Sequence, residues 1–468
     1  MKSALLLLTT LILGMPQAPV SDAAVGGRVK DLRPGASAAA GFGTATLNRL
    51  SLGTLVYRDG RRVFQMSTTV QLDTAGNYRI SNVMPGEYYL RADSLLLQGL
   101  PIYYPGTLDI DAATKIGVEA GQELVGIDFD IASPPTFKVS GKIVNIPAAA
   151  AGNGLPNAIL GITFVSADPR SPDPNAAPLL QNLRTQNNGE FEVNLPVGEW
   201  DLFPVIPMQT GGTATGTVTP FAPGTPTYAT GRARVLLKDR NVENVVIRIG
   251  SSDINGRIVA PGLSSDDFVR LRAMKITLTP MDNYPSPLVS HVRAQQVLGN
   301  YGEFAFAAVP PGRYNFQLSS IPQEFYLSEM RVGSKSIYED GVITVGTEPL
   351  DPVELVFGRG GGKVRLTING TDAPGAAGSS SSRVVLMPDD SRRENRLLYK
   401  TVPGDFALLV IPGLAPGRYR VFAFQELPAG GAEQNAEYMM KYQKFGVSID
   451  VAEGQTVDVQ VPWIPSGK

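Results

Sequence analysis

His291 is the single histidine of a 468-residue chain, in YPSPLVSHVRAQQV, with Ser286 and Ser290 beside it and Asp282 upstream. These types could supply a Ser-His-Asp nucleophile. Such sets are defined by geometry, not composition, and no Gly-x-Ser-x-Gly elbow accompanies them, so a solvated histidine is the simpler reading. Two carboxylate pairs follow, Asp109 with Asp111 and Asp128 with Asp130. Glycoside hydrolysis needs two carboxylates across a cleft, roughly 5 to 10 Å apart, and a calcium site needs more oxygen ligands. Alternate residues on a strand share one face, which is also how a solvated strand face reads. The chain has no cysteine, which removes disulfides, thiolate chemistry and cysteine-ligated zinc, and with them a lipobox-type lipid anchor. No catalytic residue, metal ligand or cofactor is expected.

The aromatics are a better source of function. Tyr103 and Tyr104 precede Pro105 and follow LLLQGLPI. Loop aromatics on a rigid scaffold are a common platform for sugar rings, because function gathers on loops. Tyr103, Tyr104 and Trp463 are therefore the candidate ligand-binding residues, with a polysaccharide or an envelope protein as partner. The alternative for the tyrosines is packing across a joint to the next unit. Tyr88, Trp200, Tyr314 and Tyr419 open a repeated alternating run instead, which assigns them to the core.

That run occurs four times. GNYRISNVMPGEYYLRA (76–92), GEFEVNLPVGEWDLFPV (189–205), GEFAFAAVPPGRYNFQL (302–318) and GDFALLVIPGLAPGRYRV (404–421) share an aromatic strand, a turn and a second aromatic strand. The turns hold Pro85-Gly86, Gly198, Pro311-Gly312 and Pro416-Gly417, where proline followed by glycine suits a type II turn. A hairpin at the heart of each core is the expectation. The turn glycines are 105 to 114 residues apart, and a second landmark, Gly-[Arg/Lys]-apolar at 27, 141, 256 and 362, keeps the same period. Each unit closes with strand, polar turn, strand, as in RVLLKDRNVENVVIRI (234–249). Four tandem, all-β, seven-strand-like antiparallel sandwiches follow, at 24–133, 134–250, 251–358 and 359–468. Short linkers imply that neighbours touch, with some bend at the glycine-rich GRGGG (358–362). Helix signals are scarce; NAEYMMKYQKFG (435–446) is one candidate.

Composition supports this outline. The chain is 43% hydrophobic and carries a net charge of −2, so it can fill cores but has no basic surplus for nucleic acid. Lys2 followed by the apolar stretch 4–15, with small residues at Ser21 and Ala23, reads as a signal peptide over 1–23. No later segment has transmembrane length. An exported protein is expected, in the periplasm, on the outer surface or beyond it.

The motif Gly-x-[Phe/Tyr], an alternating run, then Pro-Gly-x-Tyr, preceded by Gly-[Arg/Lys]-[Val/Ile], resembles the carboxypeptidase regulatory-like domain. That family has a prealbumin-like β-sandwich related to starch-binding-like and Cna B-type modules. Tyr103-Tyr104-Pro105-Gly106-Thr107, and Ala222-Pro223-Gly224-Thr225 at the matching place, resemble tandem copies of this domain in secreted proteins of soil bacteria. The resemblance implies an accessory module, not a peptidase: a zinc carboxypeptidase needs two histidines and a glutamate on its metal. A non-catalytic binding protein is the leading expectation. A structural or adhesive spacer with protein partners is the second, and a carboxylate hydrolase the third.

Overall fold

The computed structural model describes residues 23–31, 49–73, 75–93, 101–131, 135–146, 161–167, 189–207, 228–229, 231–284, 295–299, 301–369, 382–404 and 408–466. The expected signal peptide (apart from Ala23), Ser286, Ser290 and His291 lie outside them. The described parts fall into two compact units. One comprises Met1–Thr54, Met66–Leu96 and Pro101–Ser133, the other Leu55–Gln65, Leu97–Leu100 and Pro134–Lys468.

The four copies are built alike. Each has an opening strand that carries the Gly-[Arg/Lys] landmark: Ala23–Asp31, Thr136–Val144, Ser252–Val259 and Gly362–Asn369. It pairs antiparallel with the strand leading into the Pro/Gly turn: Asn77–Val83, Glu190–Pro196, Glu303–Val309 and Leu408–Leu414. On its other side it pairs parallel with the last strand of the copy: Phe129–Ile131, Val242–Arg248, Val353–Arg359 and Thr456–Ile464. The second sheet centres on the strand leaving the turn: Gly86–Asp93, Gly198–Pro207, Gly312–Ser319 and Gly417–Phe424. That strand is flanked by two antiparallel partners, as Gly312–Ser319 is by Lys275–Pro280 and Val342–Val345. In the fourth copy the two sheets also meet edge to edge, Ala423 against Trp463 and Phe424 against Ile464.

The all-β sandwich expectation is borne out, and two of its details are corrected. The sheets are mixed, because opening and closing strands run parallel. The repeated Pro/Gly turn also makes no hairpin: its two strands pair with different partners, in different sheets in the first three copies and at separate places of one joined sheet in the fourth, so the chain arches across the core. The reason is backbone chemistry. A two-residue hairpin loop takes a type I′ or II′ turn, with positive φ at its first central residue. Proline fixes φ near −65°, so Pro85, Pro311 and Pro416 forbid it. A type II turn is not formed either. Gly198 and Gly417 stand at φ +141° and +140°, far from the roughly +80° that turn requires. The strand–turn–strand that closes each copy crosses between sheets too, as Ala233–Leu237 and Val242–Arg248 do.

Arching puts the alternate side chains of both strands into one interior. Phe304 and Phe306 are buried, and their rings lie 5.6 and 6.1 Å from that of Phe316 on the facing sheet. Each such side chain, fully buried, contributes on the order of 2–3 kcal/mol by area. The opening glycines are explained by close approach. A Cβ on Gly27, Gly141 or Gly256 would stand 2.1, 1.9 or 2.7 Å from a carbonyl oxygen of the chain beside it, at Ile127, Val245 or Val353.

The helix expected near 435 is present as Ala436–Met440, capped by Asn435, whose Oδ1 accepts from the Tyr438 amide at 2.9 Å. A second helix, Ser265–Leu271, was not anticipated. Ser264 caps it, accepting from the Asp267 amide at 3.2 Å while its hydroxyl donates to the Asp267 carboxylate.

Candidate functional site

Tyr103 and Tyr104 lie in one compact unit and Trp463 in the other. Tyr103 is 1% exposed, in the short strand Pro101–Tyr103 that pairs with Gly86–Asp93. Apolar residues precede it, and the loop read from its tyrosines is a strand end that turns its ring inward. Tyr103 is therefore no stacking surface. Tyr104 is half-buried, its amide bonded to the Leu90 carbonyl. Trp463 is half-buried against the fourth core, in the strand Thr456–Ile464 and in the other compact unit. Asp109 caps a single 3-10 turn, its Oδ1 accepting from the Asp111 amide at 3.0 Å, and Asp128 accepts from the Arg28 amide at 3.0 Å. Among the described residues no cluster of three or more His, Asp or Glu could hold a metal.

The second aromatic of each repeat has a more specific role than core filling. Tyr88 donates to the Met84 carbonyl at 2.9 Å, Trp200 to Pro196 at 2.9 Å, Tyr314 to Pro310 at 2.8 Å and Tyr419 to Ala415 at 2.8 Å. Each polar tip reaches back four residues and clasps the arch that delivered it, as tyrosine corners do in other sandwiches. The sequence carried this signal. The leading aromatic is Tyr or Phe, but the trailing one is always Tyr or Trp, which carry a donor.

A cluster of buried charge lies where the second copy meets the third. Asp201, fully buried, accepts two hydrogen bonds from Arg232 (2.9 and 2.6 Å) and two from Arg234 (2.9 and 2.8 Å). Arg232 crosses to the third copy and donates to Asp282 at 2.7 Å. Asp282 also takes the Arg313 amide at 3.0 Å and its guanidinium at 3.1 Å. Burial disfavours the Asp282 carboxylate, but the Arg232 hydrogen bond and charge outweigh it and hold its pKa at about 2. Burial likewise opposes the Arg232 charge, and Asp201 and Asp282 raise its pKa above the ordinary value. The third arch lies directly beneath. The Phe203 and Tyr284 rings are 5.3 Å apart, and Tyr284 Oη lies 2.7 Å from Tyr314 Oη. A Cβ on Gly312 would stand 1.8 Å from Tyr284 Oη. Close approach, not a positive φ, is why glycine sits there. Burial pushes both tyrosines up.

The joint between third and fourth copies is mainly apolar and aromatic, with Arg392 and Glu453 of the fourth copy facing Tyr338 and Tyr326 of the third. Asn395 donates to the Tyr338 carbonyl at 2.6 Å, and Tyr326, Leu398 and Ala415 pack with Tyr338. The glycine-rich linker is packed instead of bending freely: a Cβ on Gly358 or Gly361 would stand 2.6 or 2.9 Å from the Tyr326 ring. Residues 55–65, counted with this unit, add a hairpin turn at Asp59-Gly60, which stand at φ +50° and +71°, the dipeptide and conformation of a type I′ turn. Gly60 donates to Gly430 at 3.1 Å, Asn435 donates to Gly60 at 3.1 Å, and Arg396 donates to Asp59 at 2.6 Å. Nearby, Met281, Met387, Met439, Arg393, Arg396 and Tyr399 contribute to a pocket of about 110 Å³. Burial lowers the Arg396 pKa. No nucleophile and base face each other among the residues lining it.

The chain is thus an all-β protein of repeated two-sheet sandwiches. No protein-family model matches it, and the search of curated proteins gave no match. Among solved structures it is similar to a streptococcal ancillary pilin (11% identity over 70% of this chain and 99% of that one, TM-score 0.20). It is also similar to two B repeat units of the collagen binding protein Cna of Staphylococcus aureus (9%, 87% and 94%, 0.16). A third is BcpA, the major pilin subunit of Bacillus cereus (11%, 71% and 98%, 0.15). Likenesses at these TM-scores carry no argument about function.

Proposed function

We propose that this chain is an exported, non-catalytic scaffold that acts through its surface on protein partners in the cell envelope. In this reading 24–133, 134–250, 251–358 and 359–468 are four modules of the carboxypeptidase regulatory-like type, following a signal peptide at 1–23. The observation that carries it is the fate of the buried charges. Asp201, Arg232 and Asp282 satisfy one another across a joint, where an enzyme would hold such groups apart in a cleft for substrate. Burial of Tyr103 weighs against polysaccharide stacking and favours the structural or adhesive reading.

The test is a pair of measurements on the secreted chain. A glycan array and a panel of glycoside and ester substrates should both be blank, while the chain is recovered outside the cytoplasm with residues 1–23 removed. Turnover, retention on a glycan, or accumulation of the uncleaved chain in the cytoplasm would overturn the proposal.

A further inference from the structure

The four arches can be compared position by position. The apex residue, whose carbonyl takes the clasp, is Met84, Pro196, Pro310 and Ala415 in turn. Pro196, Pro310 and Ala415 are buried. Met84 is 53% exposed, and Pro85 and Gly86 beside it are exposed as well.

The third and fourth arches show what an arch meets. Arg232, between Gly198–Pro207 and Ala233–Leu237 of the second copy, reaches over the third arch: a Cβ on Gly312 would stand 3.0 Å from its Nη1. Tyr326 and Tyr338, between Gly312–Ser319 and Val342–Val345 of the third copy, pack with Ala415 of the fourth arch. There a Cβ on Gly413 would stand 2.7 Å from the Gln323 carbonyl oxygen. In both copies the receiving segment is the same connection, the chain that joins the strand leaving the turn to its next partner. In the fourth copy this connection is 425–446, between Gly417–Phe424 and Val447–Val451. It receives the hairpin 55–65 instead of an arch. Gly60 bonds Gly430 and Asn435, the Tyr57 ring lies 5.3 Å from that of Tyr438, and Arg62 faces Glu437 at 3.9 Å. The seat fits closely: a Cβ on Gly430 would stand 1.9 Å from the Tyr57 carbonyl oxygen.

We infer that the hairpin 55–65 is an autoinhibitory cap. It fills the surface of the fourth copy that would otherwise receive the first arch, Met84-Pro85-Gly86, of a second copy of this chain. Continuity with the two internal joints selects this occupant, because each of them sets an arch on the same connection. The chemistry agrees. With the hairpin lifted, Tyr438 would meet Met84 in place of Tyr57, and a thioether against an aromatic ring is a favourable contact. An arch on this connection is a head-to-tail contact, which adds chains without closing on a dimer. One turn on one seat is smaller than a standard stable interface, so uncapped chains associate weakly and in proportion to their concentration.

Sedimentation of the full mature chain from about 1 to 100 μM, a range suited to weak association, tests this. The wild type is expected to stay monomeric. Gly60→Val should lift the cap, because Gly60 stands at φ +71° and its Cβ would be 3.0 Å from the Gln434 side chain. Tyr57→Ala with Arg62→Glu should lift it with the turn intact, removing the ring contact and setting like charge against Glu437. Both variants should at least double in average mass by about 100 μM and continue past the dimer. Adding Met84→Lys to either should restore the monomer, which separates docking of the arch from aggregation of a loosened fourth copy. Uncapped variants that stay monomeric, a wild type that associates as they do, or association that survives Met84→Lys would overturn the inference. Each of these leaves the scaffold proposal standing; glycan retention by the wild type would sink the scaffold proposal and leave this one.

Discussion

Two joints in one compact unit solve the same problem with opposite chemistry. Between the second and third copies the contact is ionic: Asp201, Arg232 and Asp282 are nearly or fully buried and hydrogen-bond one another and the more exposed Arg234 and Arg313. Between the third and fourth it is mainly apolar and aromatic, around Tyr326, Tyr338, Leu398 and Asn395, with the charges of Arg392 and Glu453 at the tyrosines. A buried ion pair is weak evidence for stability, since desolvation offsets the Coulomb attraction, yet removing one partner is costly because it strands a charge. The ionic joint therefore adds specificity of docking more than strength. Removal of a charge should therefore cost more there than removal of a polar group at the aromatic joint.

The largest separation between the joints should come from Asp201→Ala. It leaves Arg232 buried with one carboxylate in place of two, and the expected loss is about 3–5 kcal/mol in chemical denaturation. At the aromatic joint Asn395→Ala removes two hydrogen bonds, one to the Tyr338 carbonyl and one from the Leu397 amide, and should cost about 1–3 kcal/mol. Comparable losses at both sites would erase the contrast.

Acid should separate them next. Asp282 has a folded pKa of about 2 against an ordinary 3.8, so the folded state favours the ionised form. Its contribution is complete above about pH 4 and is lost as pH falls through 2. The size is about 2 kcal/mol from a shift of this order. A stability titration of the wild type should show this slope, and Asp282→Asn should abolish it. The same slope surviving in the Asn variant would assign it elsewhere.

The smallest effects probe the aromatic clasps. Tyr419→Phe and Tyr88→Phe each lose one hydrogen bond to the arch and should cost about 1 kcal/mol. Tyr314→Phe should cost more, because its hydroxyl also meets Tyr284 beneath the ionic joint. Equal costs for Tyr314 and Tyr419 would mean that the ionic joint does not lean on its arch.

How much of this could be read from the sequence differs between local and long-range features. Period-2 alternation and four spaced landmarks disclose the sandwich, because burial on one face writes itself into every second residue. The helix Ala436–Met440 shows through its own pattern. Which strand pairs with which was not legible: Pro311-Gly312 looks like a hairpin turn until the φ that proline forbids at its first position is considered. Tyr103 misled because an aromatic beside proline reads as loop, and only the tertiary pairing of Pro101–Tyr103 turns it inward. The ionic joint bonds residues 31 to 50 positions apart across two copies, and no local pattern links Arg232 to Asp201 and Asp282. The clasp was legible in principle, since the trailing aromatic is Tyr or Trp in all four repeats.

The central claim is that charge buried between the second and third copies serves docking. A double-mutant cycle on Arg232→Ala and Asp282→Ala, read by chemical denaturation at neutral pH, tests it most directly. The account predicts a coupling of about 2 kcal/mol or more, of the kind contacting buried charges show. Additive losses, with coupling within about 0.5 kcal/mol of zero, would contradict it.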